Sequence, residues 1–129
     1  TTALNAGDLK AGDALAISLT QTPVAGSKVV FDFTSAVESL LKVGGVTLGT
    51  TVPDVVVKGA TLGANTNVAA SLAAVGGNDT ITVQFDLNGD GVYTAGSDAQ
   101  IAITLTGIAT GNSTFNYDAT NDNFVLTIV

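Results

Sequence analysis

The sequence predicts a mainly β protein: an antiparallel β-sandwich, Ig-like or jelly-roll-like, with one or two very short helices. The first observation behind this prediction is that apolar and polar residues alternate in short segments, as Ile81, Val83 and Phe85 do around Thr82 and Gln84. The second is the spacing of Gly, Pro, Asn and Asp, which marks turns about every eight to twelve residues. Together these observations indicate about seven to nine short strands.

Chain length sets the expected number of domains. With 129 residues, the chain is long enough to bury a normal core and short enough for one domain. We therefore expect a single β-sandwich domain over residues 1–129. Residues 1–13 are a candidate extended N-terminal arm, because Gly-Asp occurs twice within them. The chain begins without Met and has no long apolar run, so we expect neither a signal peptide nor a transmembrane helix in it.

The first half of the chain is expected to alternate strands with a helix. Residues 14–20 and 28–33 place large apolar side chains at every second position, which predicts two strands. Ser35 and Glu38 have the spacing of a capping box, in which each side chain satisfies a free backbone N–H of the other. This predicts a helix of about two turns that ends at the Gly-Gly pair 44–45.

The remaining elements are short. Residues 67–75 read as a candidate second small helix, which another Gly-Gly pair would end. The other predicted strands are 46–48, 55–57, 78–85, 99–107, 113–117 and 124–129. The last two would form a final hairpin.

The loop between residues 85 and 99 carries the most specific chemistry in the sequence. Asp86, Asn88 and Asp90 occupy every second position, and Gly91 follows at once. These match the first, third, fifth and sixth positions of an EF-hand calcium loop, where side-chain oxygens bind the ion and glycine permits a sharp turn. The flanking strands argue against a helix-loop-helix EF-hand, so we expect an EF-hand-like loop carried on a β-hairpin.

The far end of this loop departs from the EF-hand pattern. The carbonyl of Val92 would be the next ligand, but the closing position, where an EF-hand has Glu, holds Ser97. Asp98, one residue later, is the better closing ligand. We therefore predict Ca²⁺ bound by Asp86, Asn88, Asp90, Val92 and Asp98. The alternative is an ordinary long hairpin loop. Magnesium fits less well, because it prefers to keep bound waters.

The distribution of charge disfavours two classes of partner. The net charge is −7, and it is uneven. Residues 1–58 hold four Lys and five acidic residues, a net of −1, whereas residues 59–129 hold six Asp and no Lys or Arg, a net of −6. Such a surface repels phosphate backbones and anionic lipid headgroups, so we expect no nucleic-acid partner and no membrane insertion.

The missing residue types limit catalysis. The chain contains no His, Cys or Arg, so nucleophile–histidine arrangements and the usual zinc sites are excluded within it. Its single Glu, Glu38, is explained as a capping residue. With five Phe, two Tyr and no Trp, the chain also has few aromatic side chains on which a sugar could stack. We therefore do not expect an enzyme.

The loop at 86–98 within a hairpin, and the cysteine-free composition rich in Thr, Ala, Gly and Val, resemble β-rich domains of prokaryotic cell-surface proteins. These include S-layer subunits, repeat adhesins and filament or pilus subunits. The resemblance implies an extracellular structural protein that self-assembles into a homo-polymer, with calcium stiffening each subunit.

Two features favour assembly. Hydrophobic residues make up 46% of the chain and charged residues 12%, so part of the surface should be apolar. In addition, residues 3–20 could act as a donor strand that completes a neighbour's sheet, with Leu15, Ile17 and Leu19 setting the register. The alternative is that this segment is the domain's own first strand.

Other functions fit the same observations. The main alternative is a calcium-binding adhesin repeat or a carbohydrate-binding module of a larger secreted protein, for which surface glycans would be partners. The outer domain of a flagellin-type protein is a third option. Against it, the long helices through which flagellins polymerise are absent from the sequence.

Overall fold

This computed structural model describes residues 2–5, 9–48 and 55–129. Within these residues the chain forms eleven β-strands and one short α-helix. The elements are β1 Thr2–Asn5, β2 Ala14–Leu19, β3 Lys28–Asp32, α1 Ser35–Glu38, β4 Lys42–Val43, β5 Val46–Thr47, β6 Val55–Val56, β7 Val68–Val75, β8 Asn78–Phe85, β9 Ala99–Leu105, β10 Thr114–Asp118 and β11 Asn123–Thr127. In these ranges no helix has the length and apolar character needed to cross a membrane.

Two main sheets pack against each other. One has five strands in the order β1-β3-β11-β10-β6, and the other has four in the order β2-β9-β8-β7. Strands β4 and β5 form a separate small hairpin. The prediction of a mainly β sandwich with almost no helix is confirmed. Most pairs are antiparallel, but β1 with β3 and β2 with β9 are parallel.

The core lies between the two main sheets. Every second residue of β8 and β9 is buried, as their alternating sequences predict. Phe124 lies at the centre of an aromatic cluster, and its ring centroid is 5.5 Å from Phe33 and 5.2 Å from Tyr117. It also lies 6.4 Å from Phe85 of the opposite sheet, in an edge-to-face arrangement that joins the two layers.

The N-terminal strands occupy the edges of the two sheets. Strand β2 begins where it was predicted, and it is the outermost strand of its sheet. Residues 2–5, predicted as part of an irregular arm, form β1 and pair with β3, while residues 1 and 6–8 of that arm lie outside the described residues. In this structure β2 pairs with β9 of the same chain, and donation of the segment to a neighbour stays a prediction.

The first predicted helix exists, but its cap differs. Helix α1 begins at Ser35, and its N-cap is Thr34, whose hydroxyl oxygen accepts a 3.4 Å hydrogen bond from the backbone N–H of Val37. The helix ends at Glu38, which is buried, and with Thr34 as the N-cap the third helical position of a capping box is Val37. The chain then turns into the β4–β5 hairpin, so the Gly-Gly pair 44–45 is a hairpin turn.

The prediction of a helix at 67–75 is wrong. Residues Val68–Val75 form β7, and all of them pair with β8 across the turn formed by Gly76 and Gly77. Both glycines have positive φ, 58° and 83°, as a two-residue hairpin turn requires. Val68 and Ala70 enter the core from this strand. The Ala-rich sequence is compatible with a helix, but pairing with β8 and burial in the sandwich determine the outcome.

The remaining predicted strands are present with small shifts of their ends. Strands β5 and β6 each contain two residues, and Pro53, which separates them in the sequence, lies outside the described residues. The final hairpin of β10 and β11 pairs Phe115 with Leu126 and Tyr117 with Phe124. All four of these side chains are buried, so the hairpin supplies one wall of the core.

Candidate metal centre

The acidic loop 86–98 joins β8 to β9 at one end of the four-stranded sheet. The last pair of this hairpin is Phe85 with Ala99, so the next residues outward, Asp86 and Asp98, are brought side by side. Both are buried, with 2% and 0% of their surface exposed. The strand register therefore places two carboxylates together where the sheet ends.

A third carboxylate completes the cluster. Carboxylate oxygens of Asp86, Asp90 and Asp98 all lie within 4.8 Å of one another, and Asp90 is the exposed member. In the described parts of the chain, no other group of three potential His, Cys, Asp or Glu ligands meets this distance. The structure thus brings together the three acidic residues that the sequence predicted as ligands.

The loop's own backbone positions the first carboxylate. Asp86 accepts a 2.8 Å hydrogen bond from the N–H of Gly89 through Oδ1, and a 2.7 Å bond from the N–H of Gly91 through Oδ2. Both glycines lie in the left-handed region, with φ of 79° and 85°. Glycine adopts this conformation readily, so the chain can curl around the carboxylate.

Asp98 holds the loop from its other end. Its Oδ1 accepts a 3.0 Å hydrogen bond from the N–H of Leu87, and its Oδ2 accepts a 2.6 Å bond from the N–H of Thr94. The carboxylate therefore contacts both arms of the loop. Ser97, the residue at the EF-hand closing position, donates its backbone N–H to the carbonyl of Thr94 at 3.1 Å.

Asn88 and Val92 lie next to the exposed carboxylate. The Asn88 side chain donates a 3.0 Å hydrogen bond to Asp90 Oδ2 and accepts one from the Asp90 backbone N–H. The N–H of Val92 donates a 2.9 Å bond to Asp90 Oδ1. Asn88 is thus held beside the cluster, whereas a ligand role for the Val92 carbonyl stays a prediction.

Two other segments are bound to this loop. The N–H of Gly12 donates a 2.9 Å hydrogen bond to the carbonyl of Asp98, and the N–H of Gln100 donates a 3.0 Å bond to the carbonyl of Asp13. On the other side, the N–H of Asp86 donates a 2.8 Å bond to the carbonyl of Asn67. The acidic cluster therefore lies where the β8–β9 hairpin, the approach to β2 and the start of β7 meet.

Electrostatics favours a cation at this point. Neighbouring carboxylates repel each other when all are ionised, and the nearby Lys42, which lines the same cavity as Asp86 and Gly89, supplies a single positive charge against three carboxylates. Backbone N–H groups reduce the repulsion but carry only partial charges. An all-oxygen group of this kind suits a hard divalent cation. The three Asp side chains could therefore hold a metal ion.

Two other acidic residues are buried, and their burial was not predicted from the sequence. The first, Asp79, accepts hydrogen bonds from the Thr110 hydroxyl at 3.3 Å and from the Gly111 N–H at 3.2 Å, which fixes the 108–111 loop. The alternation of β8 indicates this burial, because Asp79 lies two residues before Ile81 and so faces the core. Its role in this structure is to position the loop.

Glu38 is the second of these residues. It is 2% exposed, and its Oε1 has no hydrogen-bond partner among the described residues. Burial, and then the nearby carboxylates of Asp122 and Asp32, raise the pKa of Glu38 from 4.5 to about 7. The capping-box interpretation gave no signal for this burial, because it depends on the β10–β11 turn that carries Asp122.

Comparison of the chain with protein-family models, with curated proteins and with solved structures finds no match. The resemblance to prokaryotic surface proteins therefore still depends on the acidic loop and on the composition. The geometry of the loop and of the sheets is the remaining evidence that bears on function.

Proposed function

We propose that this chain is a structural subunit of a self-assembling extracellular structure, a filament, pilus or surface layer, and that calcium stabilises it. The observation that carries this proposal is the position of the Asp86, Asp90 and Asp98 cluster. It lies where three segments distant in sequence are hydrogen-bonded to one another. A cation bound there would act as a cross-link within the subunit.

Calcium is the ion that suits this loop best. Calcium takes six to eight oxygen ligands in flexible geometry, and waters complete the shell where protein ligands are too few. The ligands we propose are the side chains of Asp86, Asn88, Asp90 and Asp98 and the carbonyl of Val92. Magnesium demands a tighter octahedral shell and gives up its waters reluctantly, so it fits the same loop less well.

The environment of the cluster supports a structural role over a catalytic one. Both oxygens of Asp86 and of Asp98 accept hydrogen bonds from backbone N–H groups, which hold each carboxylate in place. A general acid or base must be free to exchange its proton with a reacting group, whereas these two carboxylates are buried. These carboxylates suit the binding of a fixed positive charge instead.

Exposed aliphatic side chains support self-association. Several large aliphatic residues have more than a third of their surface exposed, namely Leu15, Val24, Leu40, Val46, Val56, Val75, Val92 and Val129. Single exposed aliphatics are common, but eight of them on a chain with 12% charged residues are consistent with contacts between subunits. A subunit of a homo-polymer would use this surface against other copies of itself.

An extracellular location agrees with the proposed ion. Calcium sites of extracellular modules bind in the range of about 10⁻⁴ to 10⁻³ M, where the free ion outside cells would keep such a loop occupied. The absence of Cys means that disulfides do not contribute to stability, which leaves core packing and the metal to do so.

Analytical ultracentrifugation of the purified chain tests the proposal. We expect large assemblies with millimolar calcium and their loss with a chelator. The Asp90→Ala variant should lose the calcium dependence, while Asp32→Ala, which removes an exposed carboxylate outside the loop, should keep it. A sharp monomer in both conditions would overturn the assembly function and favour the adhesin-repeat or carbohydrate-binding alternative, in which calcium is purely internal.

Donation of the N-terminal segment is a separate part of the proposal. If residues 1–13 carry a donor strand, their deletion should abolish polymerisation while a protein deleted only at its exposed C-terminal Val129 still assembles. Polymers of unchanged length and yield after the N-terminal deletion would rule out donation.

A further inference from the structure

Strand β2 is an edge strand without the usual protection against pairing. Natural edges carry Lys, Pro or bulges, or are very short, whereas β2 has six residues, ALAISL, with no charge, Pro or Gly. Leu15 belongs to its core-facing row, because it pairs with Ile101, which is buried, yet 48% of its surface is exposed. This side of the sandwich is therefore incompletely covered.

The register with β9 shows which backbone groups of β2 are open. In a strand, the N–H and C=O of one residue point to the same side, and the side alternates along the chain. The carbonyl of Asp13 bonds to Gln100 on the β9 side. By alternation, the N–H and C=O groups of Ala14, Ala16 and Ser18 point away from β9, and no described segment pairs with them.

Strand β7 forms the opposite edge of the same sheet, and it is recessed. Its first part is covered, because Lys58 forms an isolated parallel β-bridge with Ala70, and the N–H of Gly59 donates a hydrogen bond to the Ala70 carbonyl. Beyond this point the same alternation points the N–H and C=O groups of Leu72 and Ala74 away from β8, and no segment of the described residues bonds to them. A groove of about 470 Å³ runs beside them, and its wall is the segment 58–61.

The directions of the two edges are compatible with a repeating sheet. Strand β2 is parallel to β9, β9 is antiparallel to β8, and β8 is antiparallel to β7. Strands β2 and β7 therefore run the same way. When a second copy is placed beside the first with the same orientation, its β7 lies parallel to the first copy's β2, and the core-facing surfaces of both sheets stay on the same side.

We propose that β2 of one copy pairs in parallel with β7 of a second copy, so that their four-stranded sheets become one continuous sheet. This rests on the proposed function and names the joint between subunits. When Ala16 lies opposite Ala73, the outward N–H and C=O groups of β2 alternate along the joint with those of β7, so that the two strands can hydrogen-bond. The same register sets Leu15 beside Leu72, which covers its exposed surface.

Charge and shape favour this joint over a twofold contact between two β7 edges. Neither β2 nor β7 contains a charged residue, so the paired strands bring no like charges together, and the one Lys that lines the groove, Lys58, already donates to the carbonyls of Gly111 and Ser113. The 58–61 segment covers the start of the β7 edge and forms a wall beside Leu72 and Ala74, so an exposed edge such as β2 can enter this groove more readily than a second β7 edge with the same wall. A contact between different edges repeats without closing and produces a filament or a large ring.

Site-specific cross-linking tests the joint directly, because the chain has no native Cys. Ala16→Cys and Ala73→Cys would be mixed under assembly conditions and treated with a short bis-maleimide. We expect 16–73 cross-linked dimers in the mixture, and only background cross-linking when Ala64→Cys, also on an exposed residue, replaces either partner. Dimers formed by Ala16→Cys alone, or no 16–73 product from assembled protein, would overturn the proposal.

A second variant separates this joint from the proposed function. Ala16→Pro removes an N–H that points away from β9, so the strand's own pairing is kept. We expect loss of assembly with unfolding of the monomer unchanged. If the wild-type chain assembles and the proline variant assembles equally, the joint is wrong while the assembly function stands. If the wild-type chain never assembles, both are overturned.

Discussion

The backbone N–H of Gly12 donates a 2.9 Å hydrogen bond to the carbonyl of Asp98. The carboxylate of the same Asp98 accepts from the N–H groups of Leu87 and Thr94 in the acidic loop. One residue thus connects the entrance of the edge strand β2 to the candidate metal centre. We therefore expect that a change which orders the acidic loop also orders the start of β2.

Replacing Asp90 by Ala should weaken calcium binding. The change removes one carboxylate from the cluster and leaves the two buried ones with their hydrogen bonds. We expect calcium affinity to fall by at least about tenfold, equivalent to about 1.4 kcal/mol, measured by isothermal titration calorimetry. Asp32→Ala, at an exposed position outside the loop, is the matched control. An unchanged isotherm for the Asp90 variant would end the assignment of this loop as the site.

Chelation should loosen two segments at once. A ligand that binds only the folded state at a hundred times its Kd stabilises that state by about 2.7 kcal/mol. We therefore expect calcium to raise the melting temperature, and to slow hydrogen exchange at the amides of Gly12 and Thr94. The Val125 amide, in the five-stranded sheet, is the internal control for local effects. Slowing at Thr94 without slowing at Gly12 would show that the loop and the edge strand are not coupled.

Stability should fall as pH rises from about 4.5 to 7. Glu38 has a pKa raised to about 7 by burial and by the carboxylates of Asp122 and Asp32, so the folded state binds its proton more tightly than the unfolded state does. Within this pH range, the titration of Glu38 lowers the free energy of unfolding by at most about 1.4 kcal/mol per pH unit.

Glu38→Gln removes the titration and should be more stable than the wild type at pH 8. Urea unfolding of both proteins at pH 4.5, 6 and 8 would measure the difference between their pH profiles. Parallel profiles would show that Glu38 is ionised without penalty in the folded protein.

Truncating Phe124 should be among the most damaging core changes. Its ring contacts aromatic rings from both sheets, including Phe85 and Phe115. We expect Phe124→Ala to cost about 3–5 kcal/mol of unfolding free energy in urea titration, because a large cavity would remain. Val125→Ala, on the half-buried opposite face of β11, should cost less than about 1.5 kcal/mol. Equal costs would mean that the two sheets do not share one core.

Part of the candidate site could be predicted because its residues are close in sequence. Asp86, Asn88 and Asp90 recur at a spacing that a single tight loop brings together, and the flanking alternation identifies the hairpin. The involvement of Gly12 and Asn67 could not be predicted, since their contacts depend on which strands become neighbours. The two Gly-Gly pairs were ambiguous for the same reason, because glycine ends helices and forms hairpin turns alike.

By itself, the sequence determined the mainly β class, the strands of the β8–β9 and β10–β11 hairpins, and the position of the acidic loop. These follow from local alternation and turn residues, which act over a few positions of the chain. Only the tertiary structure decided the parallel pairing of β1 with β3 and of β2 with β9, the strand conformation of β7, and the burial of Glu38. Each of these depends on partners supplied by distant segments, and burial against such partners outweighs local conformational preference.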